Sequence, residues 1–238
     1  IAENGVLLKE SRFETGLIVS ELDISYLSYE RMRISTFRPV SDSGYLKIGF
    51  SLAPQVTKLT RGISPTPFVP QNLSERLLRC EEIFRIAALE LKKRIEHTGA
   101  KNLVIGISGG LDSTLAMLIA ARAVDMLGLP REGIIAVSMP CFGTTERTKG
   151  NSEVLADELR ATRRTINITA AVRQHFADIG HNESELSVVY ENSQARERTQ
   201  VLMDIANGYG GLVVGTGDMS ELALGWATYN GDHMSMYG

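Results

Sequence analysis

Short apolar runs alternate along this chain with longer stretches whose apolar residues recur every three or four positions. "LVIGIS" (103–108), "GIIAVSMP" (133–140), "RTINIT" (164–169) and "GLVVGT" (211–216) are brief apolar runs, and they predict buried strands. Helical spacing is predicted over 112–127, 145–160, 170–178 and 190–207. Ahead of the first run, "NLSERLLRCEEIFRIAALELKKRIEHTG" puts Leu77, Leu78, Ile83, Phe84, Ala87, Ala88 and Leu91 on one side of a helix. Asn72 or Ser74 can cap its start and Gly99 its end. Strands separated by amphipathic helices predict an α/β fold, with a parallel sheet flanked by helices. Ligands of such sheets bind beyond the carboxyl ends of the strands, near the switch point.

The amino-terminal stretch has a different texture. "GVLLKESR", "GLIVSELD" and "YLKIGFSL" predict strands from their β-branched and aromatic content, and "SYLSYERMR" predicts a short helix. Four of the seven prolines, Pro54, Pro65, Pro67 and Pro70, then fall close together and forbid a continuous helix or central strand. The expected organisation is a first domain over 1–53, a linker over 54–71 and a second domain over 72–238.

Composition narrows the class without naming a chemistry. The 238 residues are 43% hydrophobic and 22% charged, ordinary for a globular protein that buries a core. No apolar run approaches the roughly 20 residues of a membrane helix. A net charge of −3 gives no general attraction for nucleic acid. Cys80 and Cys141 are too few for a disulfide framework, so a reducing cytoplasm is expected. His97, His175, His181 and His233 are scattered without metal-site spacing, and "RATRRT" (160–165) is expected to be a solvated helix end rather than a nucleic-acid patch. The start at "IAENG", without a basic n-region, and the end at "DHMSMYG" suggest the interior of a longer chain.

The chemistry concentrates in "GISGGLDSTLAM", Gly106 to Met117, between a buried strand and an apolar helix. Gly109 and Gly110 allow positive φ and close approach of a ligand to the backbone. The turn opens a helix, whose first amides are unpaired and whose dipole end is positive, so it can cradle an anion. Ser108 and Ser113 add hydroxyls. No Gly-Lys-Ser/Thr follows, so the turn is not a Walker A loop, and it is not a G-x-G-x-x-G fingerprint. Asp112 is out of place in a phosphate cradle unless a divalent cation stands between acid and ligand. The alternative at this point is a plain strand–helix turn in which Asp112 only caps.

"SGGLDS" resembles the pyrophosphate loop of the N-type ATP pyrophosphatases. "MPCFGTTERT" (139–148), "YENSQARERTQVLMDIAN" (190–207) and "GGLVVGTGDMSELALGWATYNGDHMSMYG" (210–238) are together similar to NAD synthetase, closest to its glutamine-dependent bacterial form. The resemblance implies a Rossmann-like sheet of the adenine nucleotide alpha hydrolase type. It also implies ATP-dependent amidation of deamido-NAD to NAD through an adenylated intermediate, with release of AMP and pyrophosphate. Gly106, Ile107, Ser108, Gly109, Gly110, Leu111, Asp112, Ser113 and Thr216 would hold ATP. Asp112 and Glu221 would act in catalysis and hold Mg²⁺. Asn192, Glu221, Trp226, Ala227, Thr228, Tyr229 and Asp232 would contact deamido-NAD. Arg196 and Arg198 could bind phosphate, with solvated surface charge the alternative for at least one.

"AENGVLLKESRFETGLIVSELDISYLSYERMR" resembles the last strands of a nitrilase-type glutaminase domain, a β-rich remnant whose catalytic cysteine lies upstream. Ammonia would come from glutamine in the full-length enzyme, and at least a homodimer is implied. The competing expectations are a pyrophosphatase of this fold with another acceptor, such as xanthylate or a tRNA base, and a nucleotide-binding fragment without turnover.

Overall fold

The computed structural model describes every residue except Glu14, 37–43, Pro54, Thr57, Leu59, Thr60, Ile63, Pro67, 143–145, Trp226, Ala227 and Asp232, with the backbone alone over 146–149. The chain divides into two units, Ile1–Pro70 and Gln71–Gly238.

In the first unit, β1 (Ala2–Glu3) and β2 (Val6–Leu7) form a small antiparallel hairpin. Asn4 and Gly5 turn it at φ 46° and 81°, the pair of positive angles that suits an Asn-Gly turn. The expected short helix is present as α1 (Ile24–Arg33), capped by the Asp23 carboxylate, which accepts from the Tyr26 amide at 2.8 Å. Buried Glu3 ties the unit together. It accepts from the Asp23 amide at 2.6 Å and the Arg61 guanidinium at 2.9 Å. These bonds hold its carboxyl below the usual range, the Asp23 amide more than Arg61.

Two expected strands do not form. Residues 16–23 and 45–52 pair with nothing as strands, and Leu17, Leu46, Phe50 and Leu52 remain 82–90% exposed. A strand needs a neighbour to take its N–H and C=O groups, and the described residues of this unit offer none. The alternation of apolar residues is real, but it specifies a face, not the partner that would cover it.

The second unit follows the expected alternation, except that the strand expected over 164–169 lies at Thr162–Thr165, so most of "RATRRT" is strand and not a helix end. Its helix α2 (Leu73–Thr98) starts at Asn72, whose side chain accepts from the Ser74 and Glu75 amides at 2.8 and 3.3 Å. It ends at Gly99 in the left-handed conformation. Only its second half is buried, through Ala88, Leu91 and Ile95, while Leu77, Leu78 and Ile83 are exposed. Then come β3 (Asn102–Gly106), α3 (Leu111–Met126), β4 (Ile134–Ser138), α4 (Glu146–Glu158), β5 (Thr162–Thr165), α5 (Thr169–Ile179), α6 (Val188–Tyr209), β6 (Gly211–Val213) and α7 (Met219–Leu224). The four longer-range strands form one parallel sheet in the order β5-β4-β3-β6.

Side chains alternate across this sheet and build two cores. Leu103, Ile105, Ile134 and Ala136 pack with Leu91 and Ile95 of α2 and with Met117, Ala120 and Val124 of α3. Val104, Ile135, Val137 and Val213 face the other way, against Val172 and Phe176 of α5 and Ile205 and Ala206 of α6. Each Val, Leu, Ile, Phe or Met among them contributes about 1.5–3 kcal/mol when removed from water. Helices therefore cover both faces, as the continuous apolar strands require.

Chain order fixes where a ligand can enter. From β3 the chain passes through α3 to β4 on one side, and later returns through α6 to β6 on the other. The order reverses at β3, which leaves a crevice at its carboxyl end. Gly211 closes the β3–β6 seam: a Cβ there would stand 2.6 Å from the Asn102 carbonyl oxygen.

Candidate active site

Beyond the carboxyl ends of β3, β4 and β6 lies a cavity of about 860 Å³. The volume is within the usual range for small-molecule sites. Its floor depends on Gly106, where a Cβ would meet a Leu202 methyl at 3.0 Å and the Met139 methyl at 3.5 Å.

The Gly106–Ser113 turn is held by its own hydroxyls. The Ile107 amide bonds to the Val137 carbonyl at 2.9 Å and carries the ladder one step past β3. Gly109 has φ 80°, and Gly110 is the N-cap of α3 with no side chain to cap it. Ser108 Oγ accepts from the Gly110 amide at 3.2 Å. The buried Ser113 hydroxyl donates to the Gly110 carbonyl at 3.2 Å and accepts from the Ser108 amide at 3.4 Å. Ser113 thus braces the turn at the amino end of α3.

The opposite wall comes from the segment after β6. Asp218 caps α7 and accepts from the Glu221 amide at 2.7 Å, while Glu221 Oε2 accepts from the Asp218 amide at 3.0 Å. This reciprocal box fixes the Glu221 side chain at the start of the helix. Its Oε2 is engaged there, and the residue lines the cavity. The third wall is α6, capped by Ser187 and anchored where Tyr190 stacks on Phe142 and Phe176 at 5.5 and 5.9 Å.

The sequence-expected residues divide into three groups. Gly106, Ile107, Ser108, Asp112, Ser113, Asn192, Thr216, Glu221, Thr228 and Tyr229 all line the cavity. Gly109, Gly110 and Leu111 form the crest of the turn and are not among its lining residues. Trp226, Ala227 and Asp232 lie outside the described residues. Of the two arginines left open, Arg198 lines the cavity, while Arg196 is exposed and donates to the Tyr229 carbonyl at 3.2 Å.

Several lining residues escaped sequence reasoning: Ser138 and Ser152 on the β4 side, Glu191, Thr199 and Leu202 on α6, and His233. The α6 residues had a readable signal. Steps of three and four from Val188 reach Glu191 and Asn192, and seven residues beyond these lie Arg198 and Thr199, all on one helical face.

The donor set suits a hard divalent cation. Asp112 and Glu221 supply two carboxylates to one cavity. Magnesium is ordinarily held by one or two carboxylates together with phosphate oxygens. Among the described residues no group of three or more His, Cys, Asp or Glu could form a cage made by protein alone. Such an ion would therefore share its ligands with a bound phosphate.

A reversal of strand order, a glycine turn opening a helix and a crevice between them define an α/β fold of the Rossmann-like kind, in which ligands ordinarily lie beyond the carboxyl ends of the strands. A model of the NAD synthase family matches residues 83–236, and the chain belongs to that family. It is 41% identical over 254 aligned positions to the glutamine-dependent NAD(+) synthetase of Mycobacterium tuberculosis, a match covering 100% of this chain and 37% of that relative. The chain thus spans little more than a third of the length of the curated relatives it matches. Among solved structures it is similar to the glutamine-dependent NAD+ synthetase of Acinetobacter baumannii in complex with ADP, with a TM-score of 0.62 and 29% identity. That likeness covers 66% of this chain and 29% of the other. The NMN synthetase of Francisella tularensis gives a TM-score of 0.56 at 29% identity, over 65% of this chain and 61% of the other.

Proposed function

We propose that this chain carries the adenylating site of an enzyme that converts deamido-NAD, ATP and ammonia to NAD, AMP and pyrophosphate. The observation that carries the reading is the meeting of Asp112, Asn192, Thr216 and Glu221, from three distant segments, in one cavity.

A carboxylate is a poor acyl donor because oxide is a poor leaving group. In the proposed reaction a nicotinate oxygen attacks the α-phosphorus of ATP and expels pyrophosphate. Ammonia then attacks the acyl carbon of the mixed anhydride, and AMP departs. No protein nucleophile is required, so positioning and electrostatic stabilisation carry the rate. The Gly106–Ser113 turn and Thr216 hold the triphosphate. Asn192, Thr228 and Tyr229, together with Trp226, Ala227 and Asp232, hold the dinucleotide. Asp112 and Glu221 would hold Mg²⁺, which neutralises charge on the phosphates.

Residues 1–70 take part in the full-chain match to a relative named glutamine-dependent. We read residues 1–53 as the end of a nitrilase-like glutaminase domain, 54–71 as a linker and 72–238 as synthetase. Ammonia then comes from glutamine hydrolysed elsewhere in the full-length protein. The enzyme works in the cytoplasm, in keeping with Cys80 and Cys141, neither of which is in a disulfide. It assembles as at least a homodimer, for which the exposed Leu77, Leu78, Ile83 and Ile86 of α2 offer an apolar face.

The likeness to an NMN synthetase favours a second reading, amidation of a mononucleotide acid by the same cradle. One assay separates them. Full-length protein is given Mg-ATP and ammonia with either deamido-NAD or nicotinate mononucleotide, and AMP and the amide product are measured. The first reading expects product and AMP in equal amounts with deamido-NAD. Turnover with the mononucleotide alone, or adenylation of neither, would sink it.

A further inference from the structure

The cavity's fixed charges are lopsided. Among the described lining residues there are three carboxylates, Asp112, Glu191 and Glu221, and one guanidinium, Arg198. Backbone amides and hydroxyls add only partial positive charge. A polyphosphate bringing more negative charge needs a fixed cation as well as any bound ion.

We infer that Arg198 is that cation and that it grips the phosphate oxygens of the nucleotide, an assignment that rests on the adenylation reading above. Its position on α6 supports this. Arg198 is seven residues beyond Glu191, so both project from the same helical face into the cavity. Its Nε makes a long contact of 3.5 Å to the Met139 carbonyl. Met139 is two residues past Val137, whose carbonyl accepts the Ile107 amide at 2.9 Å. The guanidinium therefore stands at the end of β4, beside the point where the glycine turn leaves β3. It is half-buried, and no ion pair among the described residues neutralises it. With Nε directed to a carbonyl, the two terminal nitrogens remain to form the planar fork that fits phosphate. The same placement favours ATP over the dinucleotide, because the nearest anion cradle is the turn at Gly106–Ser113.

Full-length R198Q and R198K test the assignment, with Mg-ATP and deamido-NAD affinities measured separately by calorimetry and the thermal midpoint recorded without ligand. R198Q should weaken ATP binding roughly 10- to 100-fold, the usual cost of a lost charged hydrogen bond, and leave deamido-NAD affinity nearly unchanged. R198K keeps the charge but loses the fork, so it should restore the midpoint of any destabilised R198Q protein while ATP binding stays several-fold weak. Unchanged ATP affinity in R198Q, a loss confined to deamido-NAD, an equal loss for both ligands, or full recovery of ATP binding by lysine would each overturn the assignment. The last two outcomes would mark Arg198 as a tether between α6 and β4. If the wild type binds ATP yet makes no NAD, the adenylation reading fails while the ATP measurement still decides the role of Arg198.

Discussion

Gly109 stands at φ 80°, one residue before the N-cap of α3, so its replacement asks two questions at once. An alanine there is forced into the left-handed region at about 1–2 kcal/mol. Reduced freedom of the unfolded chain does not offset this where the native φ is incompatible. A loss of about 1–2 kcal/mol lowers the midpoint of a domain this size by roughly 2–8 °C. Asparagine tolerates the left-handed region better, so Gly109→Asn should lose clearly less stability than Gly109→Ala. Nucleotide binding should follow a different rule. Either side chain would stand at the crest of the turn, where phosphate oxygens must approach the amides. Losing one or two such bonds, each about 1.5–3 kcal/mol, weakens ATP binding at least about tenfold in both variants. Scanning calorimetry and ATP titration of full-length protein measure the two effects separately. If Gly109→Asn bound ATP as tightly as the wild type, the turn would not be the phosphate cradle.

Three further outcomes are expected. Asp112→Asn should raise the Mg²⁺ concentration for half-maximal AMP formation by on the order of tenfold or more, with little change in thermal midpoint, since Asp112 is exposed; an unchanged magnesium requirement would refute its role. Gly211→Ala places a Cβ 2.6 Å from the Asn102 carbonyl oxygen and should cost about 1–3 kcal/mol by denaturant unfolding, because a backbone atom cannot yield as a flexible side chain can. Burial raises the pKa of the Tyr237 phenol, so the neutral form is favoured by folding. That stabilisation is present below about pH 10 and is lost as pH rises beyond it, and Tyr237→Phe should flatten this alkaline limb in a pH series of unfolding midpoints.

The second unit was legible because its local signals agree. Asn72 and Gly99 bracket α2 by capping chemistry that needs no tertiary partner. Strands buried on both faces announce themselves as continuous apolar runs, and β3 and β4 begin within a residue of expectation. The first unit was less legible for the opposite reason. The "YLKIGFSL" run has the alternation of a strand, but pairing is non-local, and alternation alone supplies no ladder. The stripe on α2 had the same weakness. Leu77 and Leu78 fit the pattern as well as Leu91 does, yet only Leu91 is buried, because α3 and the sheet lie under that half.

The site was legible at its corners and not along its walls, and the topology explains why. Each corner sits where a strand ends: Asp112 after β3, Thr216 after β6, and Glu221 on the helix that follows. A reversal of strand order at β3 splays the neighbouring connections apart, so residues more than a hundred positions apart in sequence converge on one crevice. Such corners are marked by glycine and acid at fixed offsets from a strand, which sequence displays openly. The wall on α6 carries no such mark. Glu191, Arg198 and Thr199 belong to it only because a helix of 22 residues packs on one face of the sheet and turns one side of its amino-terminal part into the cavity. This division also bears on specificity. The turn after β3 is constrained by its hydroxyl braces and left-handed glycine, so it can change little without losing the proposed phosphate cradle. The α6 face presents side chains from a regular helix, where a substitution need not disturb the backbone. Relatives that share this fold and act on different acceptors should therefore differ there, and exchanging the α6 face between such enzymes should shift acceptor preference while ATP affinity holds, apart from what Arg198 contributes.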